Sequence, residues 1–306
     1  MSLPAEAFEP APRREAEAEA IARPSLTYWQ DAWLRLKKNW LAMAGLVILV
    51  LLAVMAIFGP YMVDYTYYEQ NLETGKNLEP SSEHWFGTDD LGRDMFVRTW
   101  YGARVSLLIG LAAGLIDLII GVLYGGISGY KGGRTDEIMM RIVDVLWGLP
   151  YLLTVILLLV VMEPGVLTII IALSITGWLR MARLVRGQVL QLKEQEYVLA
   201  ARTLGASGRW ILFKHLLPNS LGPIIVLITY TIPNAIFAEA FLSFLGLGVQ
   251  APFASWGTMI DDSTAVILSG EWWRLFFPAF FLSLTLLAFN MLGDGLRDAL
   301  DPKMRK

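Results

Sequence analysis

The chain has 306 residues, of which 55% are hydrophobic and 17% are charged, and its formal net charge is −3. Soluble domains carry about 25% charged residues, so this composition excludes an ordinary soluble protein. There is no cysteine, which excludes a disulfide, a thiolate zinc site and a cysteine nucleophile. The two histidines, His84 and His215, stand far apart in the sequence. We therefore expect structural or surface roles for them and predict no metal site.

The N-terminal part of the chain is predicted to lie in the cytoplasm and on the membrane surface. Residues 1–24 are rich in Ala, Glu, Pro and Arg, which predicts a disordered cytoplasmic N-terminus. The glutamates and the lack of an apolar core exclude a secretory signal. Residues 25–40 combine tryptophans with Arg and Lys, which predicts an interfacial helix in contact with membrane lipid. A membrane span follows at once, so these basic aromatics do not indicate nucleic-acid binding.

Six apolar segments are about as long as the roughly 20 residues that a helix needs to cross the hydrocarbon core. We predict membrane spans at residues 41–62, 105–130, 138–161, 166–185, 221–247 and 276–292. Pro223 and Pro233 are expected to break the fifth span, because proline removes a helical hydrogen bond. The acidic residues 63–100 form an external segment after the first span, and a second polar segment, residues 250–274, precedes the last span.

Lysine and arginine are concentrated in alternate connecting segments. The poorer set of segments holds only Lys76, Arg93, Arg98, Arg104 and Arg274. The positive-inside rule therefore places both termini, and the connection between the fourth and fifth spans, in the cytoplasm. Six spans satisfy this rule, whereas an odd number would put the termini on opposite sides.

The connection between the fourth and fifth spans, residues 193–218, is a polar, basic stretch in an apolar chain. It predicts two short helices joined at Gly205, since glycine adopts the left-handed conformation that ends a helix. Pro218 suits the first turn of the apolar helix that follows. Ala200 and Ala201 leave one helix face bare, which favours close docking of another protein. An amphipathic loop that lies on lipid headgroups is the alternative.

The pattern Ala-Ala, three residues, Gly, then Leu-Pro resembles the EAA loop of ABC-importer permeases. The matching positions are Ala200, Ala201, Gly205, Leu217 and Pro218. The glutamate position of the motif holds Leu199, although Glu196 lies one helical turn earlier, and the isoleucine position holds His215. The longer string Glu196–Asn219, which includes Ala206, resembles the dipeptide/oligopeptide/nickel branch of these permeases. This resemblance implies that the loop couples the membrane subunit to a cytoplasmic ATPase.

A second motif lies in the external segment, between Trp85 and Asp94. Its glycines and aspartates predict tight turns with local side-chain hydrogen bonds, and a well-packed loop that caps the membrane domain is one explanation for them. The string also resembles the Gly-Thr-Asp-x-Leu-Gly-Arg-Asp segment of the same permease branch. This resemblance implies a position near an external gate, where a substrate-binding protein docks, for Gly87, Thr88, Asp89, Asp90, Gly92, Arg93 and Asp94.

The chain is predicted to have no ATP site of its own. A phosphate loop needs Gly-Lys followed by Ser or Thr, whereas the Gly-Lys pair of this chain, Gly75-Lys76, is followed by Asn77. The glycines of residues 125–134 are expected to allow close helix packing instead. The sequence also lacks a Gly-x-Ser-x-Gly elbow and a His-Glu-x-x-His motif, so no catalytic residues are predicted.

Three acidic residues fall inside predicted spans, where a charge is costly and indicates function. Asp144 lies one turn after Arg141 and is expected to pair with it. Asp117 and Glu239 are candidates for lining a transport pathway, where Glu239 would meet a cation or the amino group of a peptide. The alternative for Glu239 is a buried carboxyl group that is bonded to a neighbouring helix or to a partner permease.

From about Trp33 to Lys303 the chain resembles a permease subunit of the dipeptide/oligopeptide/nickel ABC importers. The resemblance implies an all-α, polytopic membrane protein with six transmembrane helices and the MetI-like fold. It also implies a core domain over residues 101–298 and a cytoplasmic tail over residues 299–306. The implied partners are a second homologous permease, two cytoplasmic ATPases that bind ATP and Mg²⁺, and an external substrate-binding protein. The implied location is the cytoplasmic membrane of a prokaryote.

The function predicted from this resemblance is import of di- or oligopeptides by a non-catalytic subunit. The lack of histidine and cysteine clusters favours peptides over nickel, which, with other small solutes, stays an alternative substrate of the same architecture. A stand-alone ion-coupled transporter that uses Asp117 and Glu239 is the alternative from another class. That alternative has no use for the cytoplasmic loop.

Overall fold

The computed structural model describes residues 27–301, and these are mostly helical. Their only β-structure is an isolated bridge between Thr88 and Asp94, so the predicted all-α class is confirmed. The predicted disordered segment, residues 1–24, lies outside the described residues, as does most of the predicted tail. The α-helices of the described part are α1 Tyr28–Lys38, α2 Trp40–Phe58, α3 Met95–Lys131, α4 Gly133–Trp147, α5 Tyr151–Val161, α6 Val166–Leu192, α7 Glu196–Thr203, α8 Gly208–Ile211, α9 Leu217–Asn219, α10 Leu221–Phe244, α11 Trp256–Thr264 and α12 Trp272–Leu300.

Five of these helices are long and apolar enough to cross a membrane: α2, with the short turn that follows it, α3, α6, α10 and α12. A sixth span exists only as the pair α4 and α5, which are bent by 83° where they meet. The third span predicted over residues 138–161 is therefore a pair of bent helices, and no single straight helix covers this range. Pro150 cannot donate a helical hydrogen bond and disfavours the helical conformation at Leu149, and Gly148 is a poor helix former.

Helix α3 begins at Met95 rather than at the predicted residue 105. The carboxylate of Asp94 accepts a hydrogen bond of 2.9 Å from the amide of Val97 and so caps the helix. At 1.5 Å per residue, the 37 residues of α3 span about 55 Å, nearly twice the roughly 30 Å of the hydrocarbon core. One end of α3 therefore stands outside the membrane and carries the external segment.

Helix α10 is continuous through both of its prolines, so the breaks predicted at Pro223 and Pro233 are wrong. Pro223 lies in the first turn of the helix, where the backbone N–H groups have no carbonyl acceptor within the helix, so a proline there removes no helical hydrogen bond. Pro233 is buried within the helix, where neighbouring helices support the freed carbonyl group in a membrane protein. Helices α6 and α12 also extend beyond the predicted spans, to Leu192 and from Trp272 to Leu300.

The packing of α3 against α6 depends on glycines that lie one turn apart. A Cβ atom at Gly121 would lie 2.5 Å from the Cβ of Met181, and one at Gly125 would lie 2.2 Å from the carbonyl oxygen of Ala182. At Gly129 the same atom would meet a backbone oxygen of α6 at 2.8 Å. Small residues let membrane helices approach closely, and the expectation for the second span is confirmed.

Helix α1 lies against the C-terminal end of α12. Its first turn is capped by Thr27, and the hydroxyl of Tyr28 donates a hydrogen bond of 3.1 Å to the carbonyl oxygen of Leu300. Trp29 and Trp33 stay about half exposed, at 47% and 46%. The segment is therefore helical and amphipathic, and its contact with lipid stays a prediction.

The glycine packing predicts opposite effects for two matched substitutions. Gly125→Ala places a methyl group against the backbone of α6, and overpacking of this kind costs about 1–3 kcal/mol. Gly187, on α6, has no atom within 4 Å of an added Cβ, so Gly187→Ala is expected to be neutral or to stabilise the helix by up to about 1 kcal/mol. Thermal melting of the detergent-purified variants measures both effects. Equal melting temperatures for the two would contradict this account of the packing.

Candidate functional site

The loop of residues 193–218, called the coupling loop after its predicted role, folds as the short helices α7 and α8 at the end of α6. Gly205 has a φ of +83°. Its amide donates to the carbonyl of Arg202, and the amide of Ala206 donates to that of Ala201 at 3.0 Å, which together make a Schellman turn. The side chain of Ser207 then caps α8 by accepting a backbone hydrogen bond. The predicted glycine turn between two helices is confirmed.

A small apolar core holds the coupling loop against α6. Val198, Ile211 and Leu216 are fully buried, and they pack with Val185 and Val189 of α6. Between α8 and α9 the backbone adopts a π-helical turn, so the chain enters α10 without leaving this core. The coupling loop and the C-terminal end of α6 therefore form one packed body.

The opposite face of the coupling loop exposes large apolar side chains. Leu204, at the tip of the turn, is 87% exposed, and Trp210 and Phe213 are about half exposed. Exposed apolar surface of this kind marks interaction sites in proteins. The predicted coupling residues divide between two environments: exposed are Glu196, Ala200, Gly205 and Pro218, and half-buried are Ala201 and Ala206.

The two histidines lie at opposite ends of the molecule, and both make packing contacts. The Nδ1 atom of His84 lies 2.8 Å from a carboxylate oxygen of Asp94, and the ring of His215 packs edge-on against Trp210 with centroids 4.6 Å apart. These contacts agree with structural roles. Within residues 27–301 no group of three or more His, Asp or Glu side chains is placed to hold a metal ion.

The external motif forms a buried polar network around Asp89. One carboxylate oxygen of Asp89 accepts from the amides of Leu91 and Arg93, and the other lies 2.6 Å from Nε of Arg93 and 3.4 Å from Nε of Arg98. Asp262, on α11, lies 3.7 Å from Arg98. Partial burial raises the pKa of the Asp262 carboxyl group, and the two guanidinium groups act in the opposite direction. Asp89 thus pairs with both arginines near the start of α3, and Asp262 lies within 4 Å of both as a second carboxylate.

The other residues of the external motif are also mostly internal. The hydroxyl of Thr88 donates to the carbonyl of Gly75, and a Cβ atom at Gly92 would collide with the backbone of residue 71. Gly87 is buried as well, whereas Asp90 is exposed and lies 3.1 Å from Arg274. This arrangement agrees with a well-packed loop that caps the membrane domain. Docking of a binding protein on this face stays a prediction.

Glu239 is fully buried between α3, α10 and α11. Its carboxylate accepts hydrogen bonds from the hydroxyl groups of Ser106 at 3.0 Å and Ser243 at 2.8 Å. Ser106 in turn accepts from the amide of Trp256 at the start of α11. This geometry matches the alternative of a buried carboxyl group bonded to neighbouring helices. Ser243 lies one helical turn after Glu239, so helical spacing could have indicated this contact. Ser106 is 133 residues away along the chain, and the sequence offered no signal for it.

Asp144 pairs with Arg183 of α6 at 2.8 Å, so its predicted pairing with Arg141 is wrong. Helix α4 lies beside α6, and the long side chain of Arg183 crosses that interface and also stacks 4.5 Å above the ring of Trp147. The ion-pair partner of Asp144 is therefore set by the packing of α4 against α6, and the i,i+3 spacing along α4 did not predict it.

Asp117 lines a cavity of about 420 Å³ between α3, α6, α10 and the bend of α4 and α5. Only 3% of Asp117 is exposed, and its Oδ1 atom has no hydrogen-bond partner. The cavity is also lined by Trp147, Tyr151, Gly177, Arg180, Tyr230 and Asn234. The sequence singled out Asp117 but not the other residues, because the bend at Pro150 that brings them together was not predicted.

Two family models match the chain. The model described as "Binding-protein-dependent transport system inner membrane component" matches residues 121–306. The model described as "N-terminal TM domain of oligopeptide transport permease C" matches residues 27–80. The two matches together include the coupling loop, the first span and every residue that lines the cavity except Asp117.

Curated relatives resemble the chain over nearly its whole length. It is 64% identical to the dipeptide transport system permease protein DppC of Bacillus subtilis, over 99% of this chain and 95% of that protein. It is 60% identical to the oligopeptide transport system permease protein OppC of the same organism, over 100% and 99%. The OppC protein of Haemophilus influenzae is 46% identical over 90% of this chain and 89% of that one.

Among solved structures, the chain resembles an inward-facing conformation of the MetNI methionine ABC transporter. The TM-score is 0.53 at 17% sequence identity, over 65% of this chain and 94% of the other. At this identity the resemblance concerns the fold alone, and it confirms the predicted MetI-like architecture.

The shared carboxylate of the external motif predicts a large effect on stability. Asp89→Ala removes the buried carboxylate that pairs with Arg93 and Arg98 and leaves them only the half-exposed Asp262, at 3.8 and 3.7 Å. Breaking a buried ion pair in this way costs about 3–5 kcal/mol. Asp64→Ala removes an exposed carboxylate from the same segment and is expected to change stability by less than about 0.5 kcal/mol. Thermal melting in detergent compares the two variants with the unchanged protein. If Asp89→Ala melted with the unchanged protein, the network would have no structural role.

Proposed function

Because the chain belongs to the family of binding-protein-dependent transport system inner membrane components, we propose that it is the permease subunit of an ATP-driven importer of di- and oligopeptides. The support is the similarity to dipeptide and oligopeptide permeases at 64% and 60% identity over nearly the whole chain. The family is that of the non-catalytic membrane components of ABC importers, and such components lie in the inner membrane of bacteria. Membership of this family argues against the alternative that the chain is a stand-alone ion-coupled transporter. No observation favours nickel over peptides.

In this proposal the subunit works with four other chains. A second, homologous permease completes the membrane part, and two cytoplasmic ATPase subunits bind ATP and Mg²⁺. An external substrate-binding protein delivers the peptide to the side that carries residues 63–100. The positive-inside distribution supports a topology in which both termini and the coupling loop face the cytoplasm.

The observation that carries the mechanism is the exposed apolar tip of a rigidly anchored loop. Leu204 projects into solvent, while Val198 and Ile211 fix the loop to α6. A groove on an ATPase subunit that buries this tip gains roughly 1.5–3 kcal/mol from one leucine side chain. Closure of the ATPases on ATP would then move the coupling loop and α6 together and open or close the path for the peptide.

Purification of the chain from native membranes in a mild detergent tests the composition of the importer. We expect mass spectrometry to identify a second permease, an ATPase pair and a peptide-binding protein in the same complex, and the complex to import peptides after reconstitution. Recovery of this chain with copies of itself only would contradict the proposal.

The tip of the coupling loop is tested with two identical substitutions at exposed leucines. Leu204→Glu removes the apolar contact and places a charge in the docking groove, so recovery of the ATPase subunits and peptide-stimulated ATP hydrolysis are expected to fall at least tenfold. Leu268 is fully exposed in the connection between α11 and α12, which the proposed topology puts outside. Leu268→Glu is therefore expected to leave recovery of the ATPase subunits unchanged. Equal recovery for both variants would show that the tip is not the docking element.

A further inference from the structure

The cavity beside Asp117 contains two polar atoms that have no partner within the described residues. One is the Oδ1 atom of Asp117, and the other is the hydroxyl group of Tyr151. They come from different helices, α3 and α5, and both line the same space of about 420 Å³. Buried polar groups in folded proteins are nearly always hydrogen-bonded, so two orphans in one cavity indicate a polar ligand that the cavity receives.

The backbone is shaped to keep the carboxylate of Asp117 in this position. A Cβ atom at Gly177 would lie 2.1 Å from Oδ2 of Asp117, so any larger residue at position 177 would displace the carboxylate. A carboxylate without a partner in a membrane interior is costly. The cost is offset when a cationic group enters, and an ammonium group, with its three donors, fits a carboxylate and a tyrosine hydroxyl group.

A positively charged side chain, Arg180, lines the same cavity. Arg180 lies three residues after Gly177 on α6, and this spacing puts both on one helix face about 4.5 Å apart along the axis. Arg180 is exposed, and its guanidinium group lies 5.7 Å from the ring of Trp147 at the bend. The lining of the cavity therefore combines a buried negative group, Asp117, with an exposed positive group, Arg180. An extended dipeptide is about 7 Å long and carries an ammonium group at one end and a carboxylate at the other. These charges are complementary to those of Asp117 and Arg180.

We propose that this cavity is a transient site for a short zwitterionic peptide during its passage, with Asp117 and Tyr151 receiving the ammonium group and Arg180 receiving the carboxylate. The inference rests on the proposed function, since it takes a peptide as the transported solute. It adds that the membrane subunit itself recognises the two ends of the peptide. The volume of the cavity lies within the range of about 300–1,000 Å³ that is typical of small-ligand sites, so a dipeptide fits inside and a longer peptide would extend from the mouth.

The test uses the complete importer in lipid nanodiscs, without nucleotide and without the binding protein. Radiolabelled alanyl-alanine is titrated onto it, and Nα-acetyl-alanyl-alanine and alanyl-alanine amide are the competitors. We expect saturable binding of the dipeptide, and at least tenfold weaker competition by the acetylated form, which lacks the ammonium group, and by the amide, which lacks the carboxylate.

Three variants assign the two ends of the peptide. Asp117→Asn is expected to weaken dipeptide binding at least tenfold and to remove the discrimination against the acetylated competitor. Arg180→Gln, at an exposed position, is expected to remove the discrimination against the amide only. Asp144→Asn removes a carboxylate that is paired with Arg183 outside the cavity lining, and it is expected to leave binding unchanged.

Peptide uptake with the binding protein present separates the two possible failures. If the unchanged importer takes up no peptide, the proposed function is wrong. If it takes up peptide, but the nanodisc complex binds no dipeptide or the Asp117 and Arg180 variants keep full discrimination, the transient site is wrong. Size-exclusion chromatography and basal ATP hydrolysis confirm that each variant is assembled. Should Asp117→Asn fail to assemble, the selective loss with Arg180→Gln decides the outcome.

Discussion

The close approach of α3 to α6 is the constraint on which the rest of the structure depends. Three glycines of α3, one turn apart, leave no room for a methyl group between the two helices. The same helix meets α10 at Gly110, where a Cβ atom would lie 2.3 Å from the side chain of Ile236. Association of helices in a membrane relies on such close packing, because lipid tails are as apolar as the side chains they replace. Helix α3 is therefore the axis around which the other spans are arranged.

This axis also fixes the polar groups of the molecule at defined depths. Asp94 caps its N-terminal end and contacts His84, Ser106 binds Glu239, and Ser128, near its C-terminal end, donates to Asp136. At each of these levels the polar group has a partner from another segment, so it contributes to the fold. Asp117 lies between the last two levels and has none for its Oδ1 atom. This contrast between Asp117 and the paired carboxyl groups at the other levels supports the proposal that Asp117 acts in transport.

The sequence predicted those features that depend on a single segment. Apolar length predicted the spans, and the need for a left-handed residue predicted the turn at Gly205, since both are decided by neighbouring residues. Features that depend on two helices were not predicted: Asp144 pairs with Arg183, 39 residues away. The 83° bend before α5 was missed for another reason, because the apolar residues on both sides of Pro150 concealed a break that proline itself indicated. The cavity follows from that bend, and was missed with it.

Helix α6 connects the coupling loop to the cavity that contains Asp117. Gly177 lines the cavity and Val189 packs against the coupling loop. Val189 follows Gly177 by 12 positions, which corresponds to about 18 Å of uninterrupted helix. Hydrogen bonds along the axis make a helix of this length stiff, so a force on the coupling loop acts directly on the wall of the cavity. Because Gly177 contacts Asp117 and Arg180 follows one turn later, a small shift of α6 against α3 changes the separation of the two charges. A site that holds both ends of a peptide would then release them when the loop moves.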